Sequence, residues 1–436
     1  MRDVFILSIV VLAAIAALRR PWIGVMLWVW ISIMNPHRYT YGFAYSAPIA
    51  LVAAGATMLG ILLTKDERVS PFKSSAVIAF FLFMVWMTLS WLFGLDIEHD
   101  YDQWLKVMKI DVMVLAGLVV LHSKKHVFAL AWVAAGSLML LGAKGGLFTI
   151  TSGGSQRVWG PPGSFIEDNN EFGLALIMTI PILRFLQMQL QSRWGRWSMT
   201  LAMLLTAAAA IGTQSRGAFL AISAMTLMLW LRGKNRIMSG VFIALTAVSL
   251  IAFMPDSWTQ RMNTIETYKD DGSAQGRLAA WSAAWNLSFH YPLGVGFNQV
   301  RQELFDKYSH NPAAGARAAH SIYFQVLGNH GFVGLGLFLA TWLITFWHAG
   351  WLRKHAANIA EARWCSDLGS MAQVSLIGFF VGGAFLSLAY FDLPYYILSM
   401  VAVTRVWVMK KSWESEPVAQ RWWWSLPGLK ASARLN

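Results

Sequence analysis

Three residues that can bind anions or transfer protons stand at the start of apolar or helical stretches. Arg216 occurs in "TQSRGAF", Arg277 in "GSAQGRLAAW" and His320 in "RAAHSIYFQVLGNHG". A guanidinium group binds phosphate oxygens in pairs, so two of them suit a phosphate or a diphosphate. Nearby positive charge lowers the pKa of a histidine and keeps its ring neutral, as a general base requires. These residue types indicate a site that deprotonates a hydroxyl beside a bound anion.

Further polar residues precede or end other apolar stretches. The segment "RVWGPPGSFIEDNNEFG" contains Arg157, Asn170 and Glu171, and Lys144 lies near the end of an earlier stretch. We expect all four to contribute to substrate binding. Basic residues at the ends of membrane spans often only anchor the helix in the interface, and Lys144 fits either role.

The site residues include neither an HExxH motif nor a carboxylate cluster of the kind that holds Mg²⁺, so we expect metal-independent chemistry without a cofactor. The chain has one cysteine, Cys365. This count excludes a disulfide framework, an iron–sulfur cluster and a zinc site built from cysteines.

The composition indicates a membrane protein. Of the 436 residues, 56% are hydrophobic and 13% are charged, whereas soluble domains carry about 25% charged residues. The net charge of +13 sits in short loops between apolar runs, and the 23 tryptophans suit the membrane interfaces. We therefore predict an all-α, polytopic helical membrane protein and expect no nucleic-acid partner.

About 12 transmembrane helices are predicted from the apolar stretches. They are Ile23–Met34, Ser46–Leu63, Ser75–Leu95, Met108–Leu121, Val127–Ile150, Phe172–Leu190, Trp197–Ile211, Gly217–Leu231, Ile237–Met254, Ser321–Trp347, Gln373–Phe391 and Pro394–Val408. The first apolar segment, Val4–Ala17, is short enough either to lie in the interface or to cross as a thirteenth span.

The distribution of Lys and Arg predicts which loops face the cytoplasm. Basic loops such as "HSKKH" and "LRGKNR" are assigned to the cytoplasm, and neutral or acidic ones such as "GLDIEHDYDQW" to the outside. The predicted parts are an N-terminal bundle (1–254), a long outer loop containing helices (255–320), C-terminal spans (321–410) and a cytoplasmic interfacial tail (411–436) with Trp422, Trp423 and Trp424. All candidate site residues then fall on the outer face, where the positive-inside bias disfavours arginine unless something anionic binds there.

In these segments the sequence resembles the O-antigen ligase family of the bacterial inner membrane, a group that also contains O-antigen polymerases and protein O-oligosaccharyltransferases. The matching stretches are "RVWGPPGSFIEDNNEFG", "QSRGAF", "GRLAAW", "HYPLGVGFNQV" and "HSIYFQVLGNHGFVGLG", in the family's order. The resemblance implies glycan transfer from undecaprenyl diphosphate to the lipid A–core oligosaccharide at the periplasmic face. It also implies that Arg216 and Arg277 hold the diphosphate, that His320 activates the acceptor hydroxyl, and that Tyr323 orients its ring or lines the lipid path.

The sequence leaves the acceptor open, because the shared motifs describe the donor half of the reaction. A polymerase would extend another lipid-linked glycan, and a protein ligase would modify Ser or Thr. A transporter of lipid-linked sugars would place charge near the membrane midplane in repeated halves, whereas here the charge lies at one face and no repeat occurs. Apart from membrane lipids and these substrates, no obligate protein partner is indicated.

Overall fold

The protein is a bundle of α-helices. The structure, a computed structural model, describes residues 1–232, Gly240 and residues 272–415, and within these ranges it has 14 α-helices and no strand. The helices are α1 (Arg2–Arg19), α2 (Pro21–Met34), α3 (Ile49–Leu63), α4 (Ser75–Leu92), α5 (Ile97–Val120), α6 (Lys124–Thr151), α7 (Asn169–Gln189), α8 (Arg193–Gly212), α9 (Arg216–Arg232), α10 (Gly272–His290), α11 (Gln302–Tyr308), α12 (Ile322–His355), α13 (Arg363–Gly383) and α14 (Asp392–Met409).

Five of the described helices, α4, α6, α7, α12 and α13, are long and apolar enough to cross a membrane. Shorter apolar helices include α2 and α3. The described ranges are thus all-helical, as predicted, and fit a helical membrane protein, while the number of 12 spans stays a prediction. The predicted span Ile237–Met254, the start of the outer loop and the tryptophans of the tail lie outside the described residues.

α5 and α12 extend well beyond the apolar stretches that predicted them, and α13 begins at Arg363 rather than Gln373 and ends at Gly383 rather than Phe391. α5 begins at Ile97 rather than Met108, because the side chain of Asp96 accepts a hydrogen bond from the His99 amide and caps the helix. α12 continues to His355, and its basic last turn suits the negative end of the helix dipole. In α5 and α12 the added turns are polar, so hydropathy alone did not reveal them.

Small residues let neighbouring helices approach closely. α6 packs along α8, and a Cβ atom added to Gly146 would lie 2.1 Å from the Leu205 carbonyl oxygen. Such contacts between backbones are how membrane helices associate, because lipid provides no hydrophobic drive between them. Small residues at this interface thus position α8, which ends shortly before Arg216.

The described residues that directly precede α12, from Gly272 onward, are folded onto the end of α12. α10 packs along α12, and the short α11 packs on α10. The Trp281 indole of α10 donates to the Ala319 carbonyl (2.7 Å), and the Ser288 hydroxyl donates to the Leu327 carbonyl (2.9 Å). The helix that carries Arg277 is therefore fixed against the helix that follows His320. We call this end of the bundle the outer end, following the predicted orientation.

α12 is interrupted at Gly331, where φ is 68° and ψ is −173°. The interruption leaves backbone carbonyls of α12 without the partners that a regular helix would give them. Polar groups from neighbouring segments bind these carbonyls instead. The Asn329 carbonyl accepts from the Val295 and Gly296 amides and from the Ser90 hydroxyl. The Trp86 indole donates to the His330 carbonyl. In a membrane each of these groups would otherwise cost several kcal/mol.

The buried His330 ring joins the same network. Because Ser90 donates to the Asn329 carbonyl, the His330 Nδ1–H donates to Ser90 Oγ (3.0 Å), and Nε2 accepts from the Tyr390 hydroxyl (2.7 Å). The Asn329 amide donates to the same Tyr390 hydroxyl. α4, α12 and the segment before α14 are thereby held together by hydrogen bonds.

A buried carboxylate connects α5 to the described residues that precede α12 (272–321), here called the outer segment. Asp100 is 1% exposed, and its Oδ2 accepts from the Phe297 amide at 2.7 Å. The Arg301 guanidinium lies 3.6 Å from both Asp100 and Asp96. The acidic stretch at the start of α5 therefore serves to hold the segment around Phe297 in place.

The interruption at Gly331 predicts a specific sensitivity to substitution. In Gly331→Ala the new Cβ would lie 2.6 Å from the Pro292 carbonyl oxygen, in a backbone conformation that is reserved for glycine. We expect a loss of about 1–3 kcal/mol of stability or more, measured as a lower thermal unfolding temperature in detergent. The matched control is Gly336→Ala in the same helix, where no atom lies within 4 Å of the added Cβ. Equal unfolding temperatures for the two variants would contradict this account.

Candidate functional site

His320 lies directly before the residue that caps α12, and its backbone has a positive φ of 43°. This conformation is uncommon for residues other than glycine and occurs where the surrounding structure imposes it. The imidazole is exposed at the outer end of the bundle. A side chain in this position is presented to ligands that arrive from outside the bundle.

Three charged residues from different segments shift the pKa of the His320 ring through their charges. Although His320 is exposed as a residue, neighbouring protein atoms screen part of its ring from water, and this desolvation lowers its pKa. Arg277 and Arg317 lower the pKa further, and Asp168 acts in the opposite direction. Arg277 belongs to α10, and Asp168 caps α7. The net lowering keeps the ring neutral at neutral pH, so Nδ1 or Nε2 can accept a proton.

Asp168 holds its negative charge through hydrogen bonds from its own helix start. Burial raises its pKa, but the hydrogen bonds from the Glu171 carboxyl, the Asn170 amide and the Asn170 side chain outweigh burial and lower the pKa overall. Both Asn170 contacts are 2.8 Å long. Asn170 and Glu171, which were predicted to bind substrate, are here in contact with the carboxylate that faces His320.

Arg216 is the first residue of α9 and is half-buried. The residue two positions earlier, Gln214, is buried with a positive φ of 55°, and it receives a hydrogen bond from Arg157 Nε (3.4 Å). The Asn169 amide donates to the Thr213 carbonyl. The loop before α7 is therefore bound to the turn that leads into Arg216.

The end of α13 connects the Arg216 and His320 segments. A Cβ on Gly217 would lie 3.4 Å from the Phe385 side chain, and a Cβ on Gly383 would lie 2.6 Å from the Ile322 side chain. The Tyr323 hydroxyl donates to the Phe380 carbonyl at 2.9 Å. The starts of α9 and α12 thus lie against the same few residues, and the Tyr323 hydroxyl is engaged by α13 rather than by His320.

Lys144 is exposed, and its ammonium group lies 5.4 Å from the centre of the Tyr39 ring. Tyr39 belongs to the 3₁₀ turn Pro36–Tyr39, which follows α2. At the start of this turn the Asn35 amide donates to the Pro162 carbonyl. Lys144 thus borders the loop that carries Arg157.

Strained backbone is concentrated around this arrangement. Within the described ranges, four non-glycine residues have positive φ: Asn35, Gln214, His320 and Lys411. Asn35 binds the loop before α7, Gln214 lies two residues before Arg216, and His320 is the candidate base. Strain of this kind is maintained where structure is built for function.

Two residues of the site were missing from the sequence-based prediction. Asp168 and Arg317 act on the His320 ring, although Asp168 lies more than a hundred residues earlier in the chain. Asp168 is a helix-capping residue by sequence, directly before Asn169 and Asn170, and that capping pattern was the available signal. Its proximity to His320 depends on tertiary packing that no local pattern encodes.

The described ranges are all-helical and contain several helices apolar enough to cross a membrane, which defines a multi-pass helical membrane protein. Residues 201–339, about a third of the chain, match the family model described as O-antigen ligase. Members of this family are glycosyltransferase-like enzymes acting on lipid-linked glycans. Residues 1–191 match a family of unknown function, DUF5935. A search of curated proteins finds no match.

The charges around His320 predict opposite shifts of its pKa in two variants. Asp168→Asn removes the charge that raises the pKa and should lower it, while asparagine still caps α7. Arg317→Ala removes a charge that lowers the pKa and should raise it. The rate at which diethylpyrocarbonate modifies His320, followed against pH by peptide mass spectrometry, measures both shifts.

Arg193→Ala is the control for this titration, because Arg193 is an exposed arginine at the start of α8, at the opposite end of that helix from the Arg216 segment. It should leave the His320 titration unchanged. An unchanged or raised pKa in Asp168→Asn would show that the carboxylate does not act on the ring.

Proposed function

We propose that the protein is an O-antigen ligase that transfers a glycan from undecaprenyl diphosphate to the lipid A–core oligosaccharide at the periplasmic face of the bacterial inner membrane. The observation that carries this proposal is the coincidence of the family match with the charged site: residues 201–339 include Arg216, Arg277 and His320. The exposed, neutral imidazole beside an arginine is what proton transfer next to a bound anion requires.

In the proposed reaction, His320 accepts the proton of the acceptor hydroxyl as its oxygen attacks the anomeric carbon. The bond between this carbon and the phosphate oxygen breaks, and the undecaprenyl diphosphate leaves with the electron pair. Arg216 and Arg277 stabilise the charge that develops on the diphosphate. Asp168 favours the imidazolium that forms, because a carboxylate stabilises a nearby positive charge. A single displacement of this kind inverts the configuration of the anomeric carbon and needs no metal.

A small apolar depression lies between α7, α8 and the first turns of α9, and its lining includes Ser215, the residue before Arg216. The other lining residues are Ile177, Ala210, Ile211, Ala218, Phe219 and Ile222. In the proposed complex the isoprenoid tail lies against apolar side chains of the membrane-spanning helices, with its diphosphate at the Arg216 guanidinium.

The acceptor is tested by supplying the purified protein in proteoliposomes with an undecaprenyl diphosphate glycan and one acceptor at a time. The acceptors are lipid A–core, a Ser/Thr-containing peptide and a second lipid-linked glycan. We expect a product with lipid A–core, of inverted configuration, and undiminished in excess EDTA. A product formed only with peptide or only with the second glycan would reassign the acceptor, and no product with any of them would contradict the enzyme class.

The roles of the arginines and the histidine predict different kinetic defects. Arg216→Lys and Arg277→Lys keep the charge but lose the planar fork, so donor binding should weaken. The alanine variants should lose roughly ten- to a hundredfold in transfer, since a charge-assisted contact contributes about 1.5–3 kcal/mol. His320→Ala should lose about 10²–10⁴ in single-turnover rate at saturating donor, with donor binding retained.

Two controls match these variants. Arg193→Lys changes an arginine at the start of α8, as Arg216→Lys does at the start of α9. His310→Ala removes an exposed histidine of the same outer segment, whose Nδ1 contacts the Ser282 hydroxyl. Both controls should transfer normally. Wild-type single-turnover rates in His320→Ala would exclude this residue as the base. Normal donor binding in the variants of both Arg216 and Arg277 would show that these arginines only anchor their helices in the membrane interface.

A further inference from the structure

α10 exposes one apolar face. Leu278, Trp285 and Phe289 are 39%, 49% and 61% exposed. Their spacing of seven and four residues places them in a single stripe along the helix. An aromatic stripe of this kind is costly in contact with water and marks a surface that meets a protein or a membrane.

The other sides of α10 are already occupied by the protein. Towards α12, Trp281 stacks on Phe324 with ring centres 4.9 Å apart. Towards α11, the Asn286 amide donates to the Tyr308 carbonyl (2.9 Å). The stripe is therefore a face that remains exposed after α10 has packed against both neighbours.

The stripe continues onto α12, which is long and apolar enough to span a membrane. The Phe332 ring of α12 lies 5.4 Å from Trp285 and 5.0 Å from Phe289, measured between ring centres. Phe332 and the adjacent Val333 are themselves 38% and 49% exposed. The apolar surface of the outer helix and that of the spanning helix form one continuous patch.

We propose that α10 lies in the outer membrane interface, with Leu278, Trp285 and Phe289 inserted into the lipid. The exposed part of a membrane-spanning helix contacts acyl chains, and a patch continuous with it contacts the same medium. Tryptophan and phenylalanine on the apolar face of such a helix are typical of segments that lie at the boundary of headgroups and acyl chains. The helix that carries Arg277 is thereby held at the depth of the lipid phosphates.

Within the predicted outer loop (255–320), the described α10 then lies partly in lipid. The proposal does not depend on the proposed transfer reaction, since the position of α10 can be measured without any substrate. A second copy of the chain or another protein covering the stripe is the competing explanation.

Collision accessibility of nitroxide labels tests the position of α10. Single cysteines replace Trp285 and Phe289 in a Cys365→Ser background, which removes the one native cysteine, a buried residue. Val333→Cys is the lipid-facing control. Asp306→Cys, on the exposed surface of α11, is the water-facing control. Each labelled variant is reconstituted in phospholipid vesicles after its thermal unfolding has been compared with that of the parent, and the two positions on α10 give independent readings.

We expect labels at 285 and 289 to collide with oxygen in preference to a water-soluble nickel chelate, as the label at 333 does. The label at 306 should show the opposite preference. Preferential collision with nickel at 285 and 289 would overturn the proposal by placing the stripe in water. Shielding of both positions from oxygen and nickel alike would also overturn it, because a protein surface would then cover the stripe.

Discussion

The arrangement of the outer end depends on the interruption of α12 at Gly331. A helix within a membrane can be broken only where other groups replace its lost hydrogen bonds. Here the replacements come from two places distant in sequence: Ser90 and Trp86 of α4, and the amides of Val295 and Gly296. The Tyr390 hydroxyl binds the side chains of Asn329 and His330 at the same point. These bonds hold the outer segment against α12 at the same point where the helix changes course, so His320 at its start is directed by groups that lie far from it.

Electrostatic balance is the second determinant of the site. Positive charge from Arg277 and Arg317 favours the neutral form of His320, and the carboxylate of Asp168 favours the protonated form. A proton acceptor needs both influences, because it must begin neutral and end charged. The hydrogen bonds that keep Asp168 ionised come from Asn170 and Glu171, two residues of the first turn of α7. The helix start therefore contributes to the site through its capping residue.

Hydropathy and charge bias predicted most of the helices, because burial in lipid requires long uninterrupted apolar runs. The apolar run from Phe172 lies within α7, and "GRLAAWSAAWNLSF" lies within α10. The early start of α5 at Ile97 was not predictable from apolarity, since the added turns are polar and are held by Asp96 and Asp100. Arg216, Arg277 and His320 could be selected from the sequence by residue type. Asp168 could not, because packing between α7 and the outer segment brings it to the site.

The first family match ends at residue 191, just before α8, and the second begins at residue 201, within α8, yet the polar contacts of the candidate site cross this boundary. Asp168 and Arg157 belong to the first match, and Gln214 and His320 belong to the second. The two regions are thus not independent modules that evolution could recombine freely. A chimaera that joined the first region of one homologue to the second region of another would inherit mismatched halves of a single charge arrangement, and compensating substitutions would be expected on both sides of the junction.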